Sequence, residues 1–210
     1  MSSIIYFQDV RCSFPHVASP FVSTKFPSST PMYSIEIIDL DPEHPQVKQF
    51  MTQCGNMAMQ VWKDHAPTVM QMIQNDRRAR CYGMGAEKVN EKNFQQLEGY
   101  GSGVWINAKN KSRPQIIRAD GQVASNEMEA MDLARKFYGG CYVNVALKPW
   151  IRTANKGISC DLVAIQFSRD GKAFGEGTAQ NDVSTMFGAV QQTAAPANTP
   201  AAMGLPPFMQ

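Results

Sequence analysis

From Cys141 to Trp150 the chain alternates, with Cys141, Val143, Val145 and Leu147 on one side and Tyr142, Asn144, Ala146, Lys148 and Trp150 on the other. A period of two defines a strand with one face in a core. After a turn containing Asn155 and Gly157, Ile158 to Phe167 gives a second strand, whose run Leu162-Val163-Ala164-Ile165 is apolar on both faces. That run predicts deeper burial.

The outward side of the first strand carries Tyr142, Lys148 and Trp150, and the connection adds Arg152 and Lys156. Aromatics interleaved with cations on a sheet face suit stacking on bases and neutralising phosphates. The competing reading is structural: Tyr and Trp on one strand commonly cover a hydrophobic edge, and a Lys between them is commonly solvated.

A chain of 210 residues suffices for one domain with a substantial core. Its 20 basic and 18 acidic residues are unevenly spread. Residues 176–210 hold Glu176 and Asp182 and no Lys or Arg, so the basic surplus falls on the preceding body. Five widely spaced cysteines, Cys12, Cys54, Cys81, Cys141 and Cys160, form no CxxC pair and read as reduced, buried residues of an intracellular protein. The N-terminus MSSIIYFQDV lacks a basic region followed by an apolar run, and no segment approaches the ~20 apolar residues of a membrane helix. A soluble protein without a membrane partner is expected.

In chain order, Ile4 to Val10 is a strand candidate, and Arg11 to Pro31, with Pro15, Pro20, Pro27 and Pro31, predicts an extended loop rather than helix or central strand. Its Phe14, Phe21 and Phe26 either pin it to the body or touch a ligand. Met32 to Leu40 is a second strand. Asp41-Pro42-Glu43 starts a helix whose stripe is Val47, Phe50, Met51, Cys54, Met57, Ala58, Val61 and Trp62. A shorter helix from Pro67 to about Asp76 leads into Arg77, Arg78 and Arg80, with Tyr82, Gly83 and Gly85 following as a basic and aromatic rim.

The glycines of Gly99-Tyr100-Gly101-Ser102-Gly103 precede a strand rather than a helix, so they predict bending and not a dinucleotide loop. Val104 to Lys109 is that strand, with Trp105, Asn107 and Lys109 on one face, and Arg113 to Arg118 is expected as its hairpin partner. Ser125-Asn126-Glu127 begins another helix, with Met128, Met131, Ala134, Phe137 and Tyr138 on its buried side, stopped by Gly139-Gly140. Residues 194–210, rich in Ala, Pro, Thr and Met, predict a disordered tail.

These elements predict a mostly β, α+β domain over 1–175, a five-stranded OB-fold-like barrel enlarged by helices and loops, followed by a flexible tail over 176–210. The segment YGGCYVNVALKPW…KGISCDLVAIQFSRDGKAFG resembles a family of phage single-stranded-DNA-binding proteins, formerly a domain of unknown function, with a member from an Enterobacter phage. With the opening strand, the long helix and GSGVWINA, the likeness extends over roughly 1–175. The resemblance implies an oligonucleotide-binding fold, sequence-independent binding of single-stranded DNA and a role in phage DNA replication or recombination, in the cytoplasm of the infected host. The tail departs from the acidic tips common in bacterial and phage single-strand binders, since it ends LPPFMQ, with Phe208 as a hydrophobic anchor.

The candidate DNA-binding residues, from face assignments, are Trp105, Tyr142 and Trp150 for stacking, with Tyr82 on the rim, and Lys109, Lys148, Arg152, Lys156, Arg77, Arg78 and Arg80 for phosphates. No catalytic, metal-binding or cofactor-binding set is expected: His16, His44 and His65 fall in or near proline-rich loops and helix ends, and Asp39 and Asp41 read as strand end and helix cap. Further partner classes are duplex DNA or RNA at lower affinity, other copies along the strand, and replication proteins through the tail. The alternative is a structural or scaffolding phage protein with a barrel fold.

Overall fold

The computed structural model describes residues 3–22 and 27–175, so the expected tail and Phe26 lie outside the described residues. Seven strands and three α-helices follow in the order β1 (Ile5–Phe21), β2 (Met32–Leu40), α1 (Pro45–Trp62), α2 (Ala66–Asn75), β3 (Tyr82–Met84), β4 (Val104–Asn110), β5 (Gln115–Ile117), α3 (Glu127–Ala134), β6 (Tyr142–Arg152) and β7 (Gly157–Arg169). The sheet order is β3-β4-β2-β1-β6-β7-β5. Its five long strands run β4-β2-β1-β6-β7, antiparallel at each step.

That order is the one a five-stranded OB-type barrel requires, with its third and fifth long strands meeting at the seam. The closure of the expected barrel lies at that seam. No ladder joins β4 to β7 among the described residues; a short segment after α2 bridges them. The Ile158 amide of β7 donates to Ala79 O at 2.7 Å, and the Asn107 amide of β4 donates to Cys81 O at 2.7 Å. The Asn110 side-chain amide adds a bond to Leu162 O at 3.2 Å. The result is a seven-stranded open sheet curled on itself, with β3 and β5 as short edges.

The β6–β7 hairpin is as the alternation predicts. Cys141, Val143, Val145 and Leu147 are fully buried, as are Leu162 and Ile165 opposite them. Removing side chains of this size from water contributes about 1.5–3 kcal/mol each. The expected partner of β4 is a correction: β5 pairs in parallel with β7, Gln115 opposite Ala164.

The first strand is a second correction. It continues through Pro15 and Pro20 to Phe21 and sits in the middle of the sheet. The prolines are tolerated because pairing with β6 covers only Ile5 to Arg11, while the later half pairs with β2 across register shifts at Ser13/His16 and His16/Phe21. A strand edge with bulges has room for residues that lack an N–H.

Helix α1 lays Val47, Phe50, Cys54, Met57 and Ala58 into the core. It begins at Pro45, later than the expected start, because Asp41 is spent on a turn: its carboxylate accepts from the Glu43 amide at 2.9 Å. Helix α3 is capped by Asn126, which accepts from the Glu129 amide. It buries Ala134 with Leu133 and Ala130 packed alongside, whereas Met128 and Met131 are exposed, contrary to expectation. Among the described residues no helix is long and apolar enough to cross a membrane.

Candidate nucleic-acid interface

The seam between β4 and β7 opens outward as a cleft of about 260 Å³. The segment after α2 contributes Arg78, Arg80 and Cys81, β4 contributes Asn107 and Lys109, and the β6–β7 hairpin contributes Arg152, Ile158, Ser159 and Cys160. The hairpin reaches the segment so closely that Gly157 is required, since a Cβ there would lie 2.7 Å from Ala79 O. Four of the lining side chains are cationic and none is a carboxylate. Such a wall focuses positive potential on one groove.

The cations are not equivalent. Arg80 is fixed by bonds to Gln74 O at 3.2 Å and Tyr82 O at 2.7 Å and by an ion pair with Glu87 at 2.7 Å, so part of its charge is spent inside the fold. Arg152 donates from Nη2 to Arg78 O at 2.9 Å, and its Nε is buried without a hydrogen-bond partner. Lys109 is exposed at the rim, and Arg77 is exposed on the same turn as Arg78. Burial pushes the Cys81 and Cys160 thiols well above their ordinary range, so the floor is neutral.

Trp150 stands opposite Ser159 in the β6–β7 ladder, next to the cleft wall. It is 39 % exposed, and its indole N–H donates to Asp161 Oδ1 at 2.8 Å. That bond fixes the ring plane while leaving the ring accessible. Lys148 is exposed on the same face, opposite Asp161, and Lys156 is exposed in the turn beyond Arg152. The fold thus brings Arg78, Arg80, Lys109 and Arg152 together at the seam, with Trp150 on the strand next to it, while Arg77, Lys148 and Lys156 are exposed on the adjoining segments.

Three aromatic expectations place differently. Trp105 is only 4 % exposed; its N–H donates to Met84 O at 3.1 Å, and it packs with Ile38 and Tyr100 in a small outer core. Tyr82 is buried edge-on against Phe50, with ring centroids 6.0 Å apart. Neither ring offers a face to a base. Tyr142 lies at the other end of β6 from Trp150, about 26 Å away at ~3.3 Å per residue. Its ring is covered by the Arg169 guanidinium at 3.4 Å, which is itself held by Asp9.

The outer core explains why Trp105, on the outward face of β4, is covered. Glu36 is buried on the outward face of β2 and accepts from Lys88, from Asn107 at 3.0 Å and from the Tyr100 hydroxyl. The glycine-rich segment before β4 folds over this carboxylate, and it covers the indole too. Phe14 and Phe21, for which the sequence left pinning and ligand contact both open, are exposed, as are Tyr6 and Phe94, which sequence reading passed over. Phe21 stacks on His16 with centroids 4.6 Å apart. The i, i+5 spacing carries no strand periodicity because a register shift intervenes.

Residues 3–194 match the family described as Enterobacter phage Enc34, ssDNA-binding protein. Among solved structures, the single-stranded DNA-binding protein from bacteriophage Enc34 in complex with ssDNA aligns with a TM-score of 0.61 at 21% identity, over 82% of this chain and 89% of that one. A second structure of the single-stranded DNA-binding protein from bacteriophage Enc34 gives 0.55 at 21% identity, over 87% and 89%. At that identity the likeness speaks for the fold. A curated relative, putative protein p50 of Acyrthosiphon pisum secondary endosymbiont phage 1, is 36% identical over 80 residues, or 38% of this chain. The match spans only 40% of that relative's length.

Proposed function

This chain belongs to the family of the single-stranded-DNA-binding protein of Enterobacter phage Enc34, and we propose that it binds single-stranded DNA at the cleft between β4 and β7. The observation that carries this reading is the gathering of Arg78, Arg80, Lys109 and Arg152 in a groove free of carboxylates, with the accessible indole of Trp150 beside it. Phosphates pair with the cations, and a base stacks on the indole. Every base has a π-face, so binding tolerates sequence.

In this reading the protein acts by occupying and ordering single strands during phage DNA replication or recombination in the host cytoplasm, and not by catalysis. Duplex DNA and RNA bind more weakly, neighbouring copies lie along the same strand, and Phe208 offers replication proteins a hydrophobic rather than acidic tip.

The test is fluorescence anisotropy of labelled mixed-sequence single-stranded DNA, titrated at several salt concentrations beside matched duplex and RNA. Sequence-tolerant binding that weakens with salt is expected. No binding at low salt would overturn the reading and favour a structural phage protein.

A further inference from the structure

Resting on that reading, we propose that the stacked rings of His16 and Phe21 form a second base platform, on the far side of the cleft from Trp150. The strand registers fix which groups lie abreast on each side of the seam, and the Asn110 side-chain bond to Leu162 O joins the two sides. Trp150 is opposite Ser159 on one side of the seam. Across it, Lys109 is opposite Ser34, and Ser34 is opposite His16. Two strand spacings of ~4.8 Å put the His16 backbone about 10 Å from that of Lys109.

Side-chain direction agrees with this placement. Val17, Ile35 and Ala108 belong to the barrel core, so their neighbours His16, Ser34 and Lys109 project outward by the alternation of a strand. The His16 and Phe21 rings lie 4.6 Å apart at 23°, a stacked pair, and Phe21 remains 47 % exposed. The bulge that sets this arrangement includes Phe14 at φ +47°, a conformation unusual for a bulky residue and found where the surroundings over-determine it. An aromatic pair already stacked is preorganised for a third ring, because no side-chain freedom remains to be lost when a base arrives.

Across the seam the order is therefore aromatic, cationic cleft, aromatic. A strand crossing the seam has its phosphates at Arg78, Lys109 and Arg152 and one base on an aromatic at each end. Short oligonucleotides reach the cleft and one platform, whereas longer ones reach both.

The test compares the full chain with Phe21→Ala and Phe21→Trp, using oligonucleotides of about 4 and about 16 nucleotides, the range seen for single OB folds. Phe21→Ala should weaken binding of the long oligonucleotide about tenfold, leave the short one nearly unchanged and keep the salt slope, because no charge is removed. Phe21→Trp should retain wild-type affinity and show tryptophan quenching by the long oligonucleotide beyond that of the wild type. Equal affinity of Phe21→Ala and wild type for the long oligonucleotide would overturn the second platform, as would a Phe21→Trp chain without the added quenching. Those results leave the cleft standing if the wild type binds; a wild type that binds neither length overturns the functional reading and this inference together.

Discussion

The ammonium of Lys88 lies 3.9 Å from the centre of the Trp105 ring. The same nitrogen is 2.5 Å from Glu36 Oε1. Trp105, an expected base-stacking residue, is thus joined to a cation and through it to a buried carboxylate. Their contribution is to stability. Replacing Lys88 with Met leaves the Glu36 charge buried without its ionic partner, which should cost about 3–5 kcal/mol. Urea unfolding should show that loss, while the affinity of the folded fraction for single-stranded DNA stays at the wild-type value.

Trp150 and Trp105 should separate in the same assay. Trp150→Ala should weaken binding by about 1–3 kcal/mol with little change in Tm, because the ring is partly exposed. Trp105→Ala should cost about 3–5 kcal/mol of stability. Equal losses of stability and affinity at position 150 would place that indole with the core instead.

Salt dependence distinguishes phosphate contacts from packing. Lys109→Ala removes an exposed cation at the cleft rim. It should lower affinity and reduce the slope of log K against log salt by about 0.7, the value for one phosphate contact on a single strand. An unchanged slope would take Lys109 out of the DNA path.

Alkaline pH should destabilise the fold. Burial pushes the Cys54 thiol from 9.0 up to about 12 and the Tyr82 phenol from 10.0 up to about 12. Both groups keep their protons in the folded state where the unfolded chain would release them. Their stabilising contribution is complete below pH 9 and is lost as pH rises from about 9 to about 12, at about 1.4 kcal/mol for each unit of separation between the two states. Thermal melts at pH 8, 9 and 10 should show a falling Tm, and the Cys54→Ser and Tyr82→Phe variants should each flatten part of that fall.

The parts of the fold legible in the sequence are those with an unbroken period. The β6–β7 hairpin, β2 and the α1 stripe from Val47 to Ala58 all have one. Bulges hid the rest: they shift the phase of β1 at Ser13/His16 and His16/Phe21, so a central strand resembles a proline-rich loop. The site was half legible for a related reason. Alternation states which side chains leave the core, and it correctly sent Trp105 and Tyr142 outward. It does not state what then folds over them, which here is the Glu36 network for Trp105 and Arg169 for Tyr142. The seam could not be read at all, because Arg78, Lys109 and Arg152 meet only through long-range closure of the barrel.

The most direct test of the cleft is the salt dependence of single-stranded DNA affinity for the Arg78→Glu/Lys109→Glu double variant beside the wild type. If the strand binds at the seam, affinity should fall steeply at low salt and the slope should drop by at least about 1.4, equivalent to two lost phosphate contacts. Wild-type affinity and slope in a folded double variant would contradict the account and move the DNA to another face of the sheet.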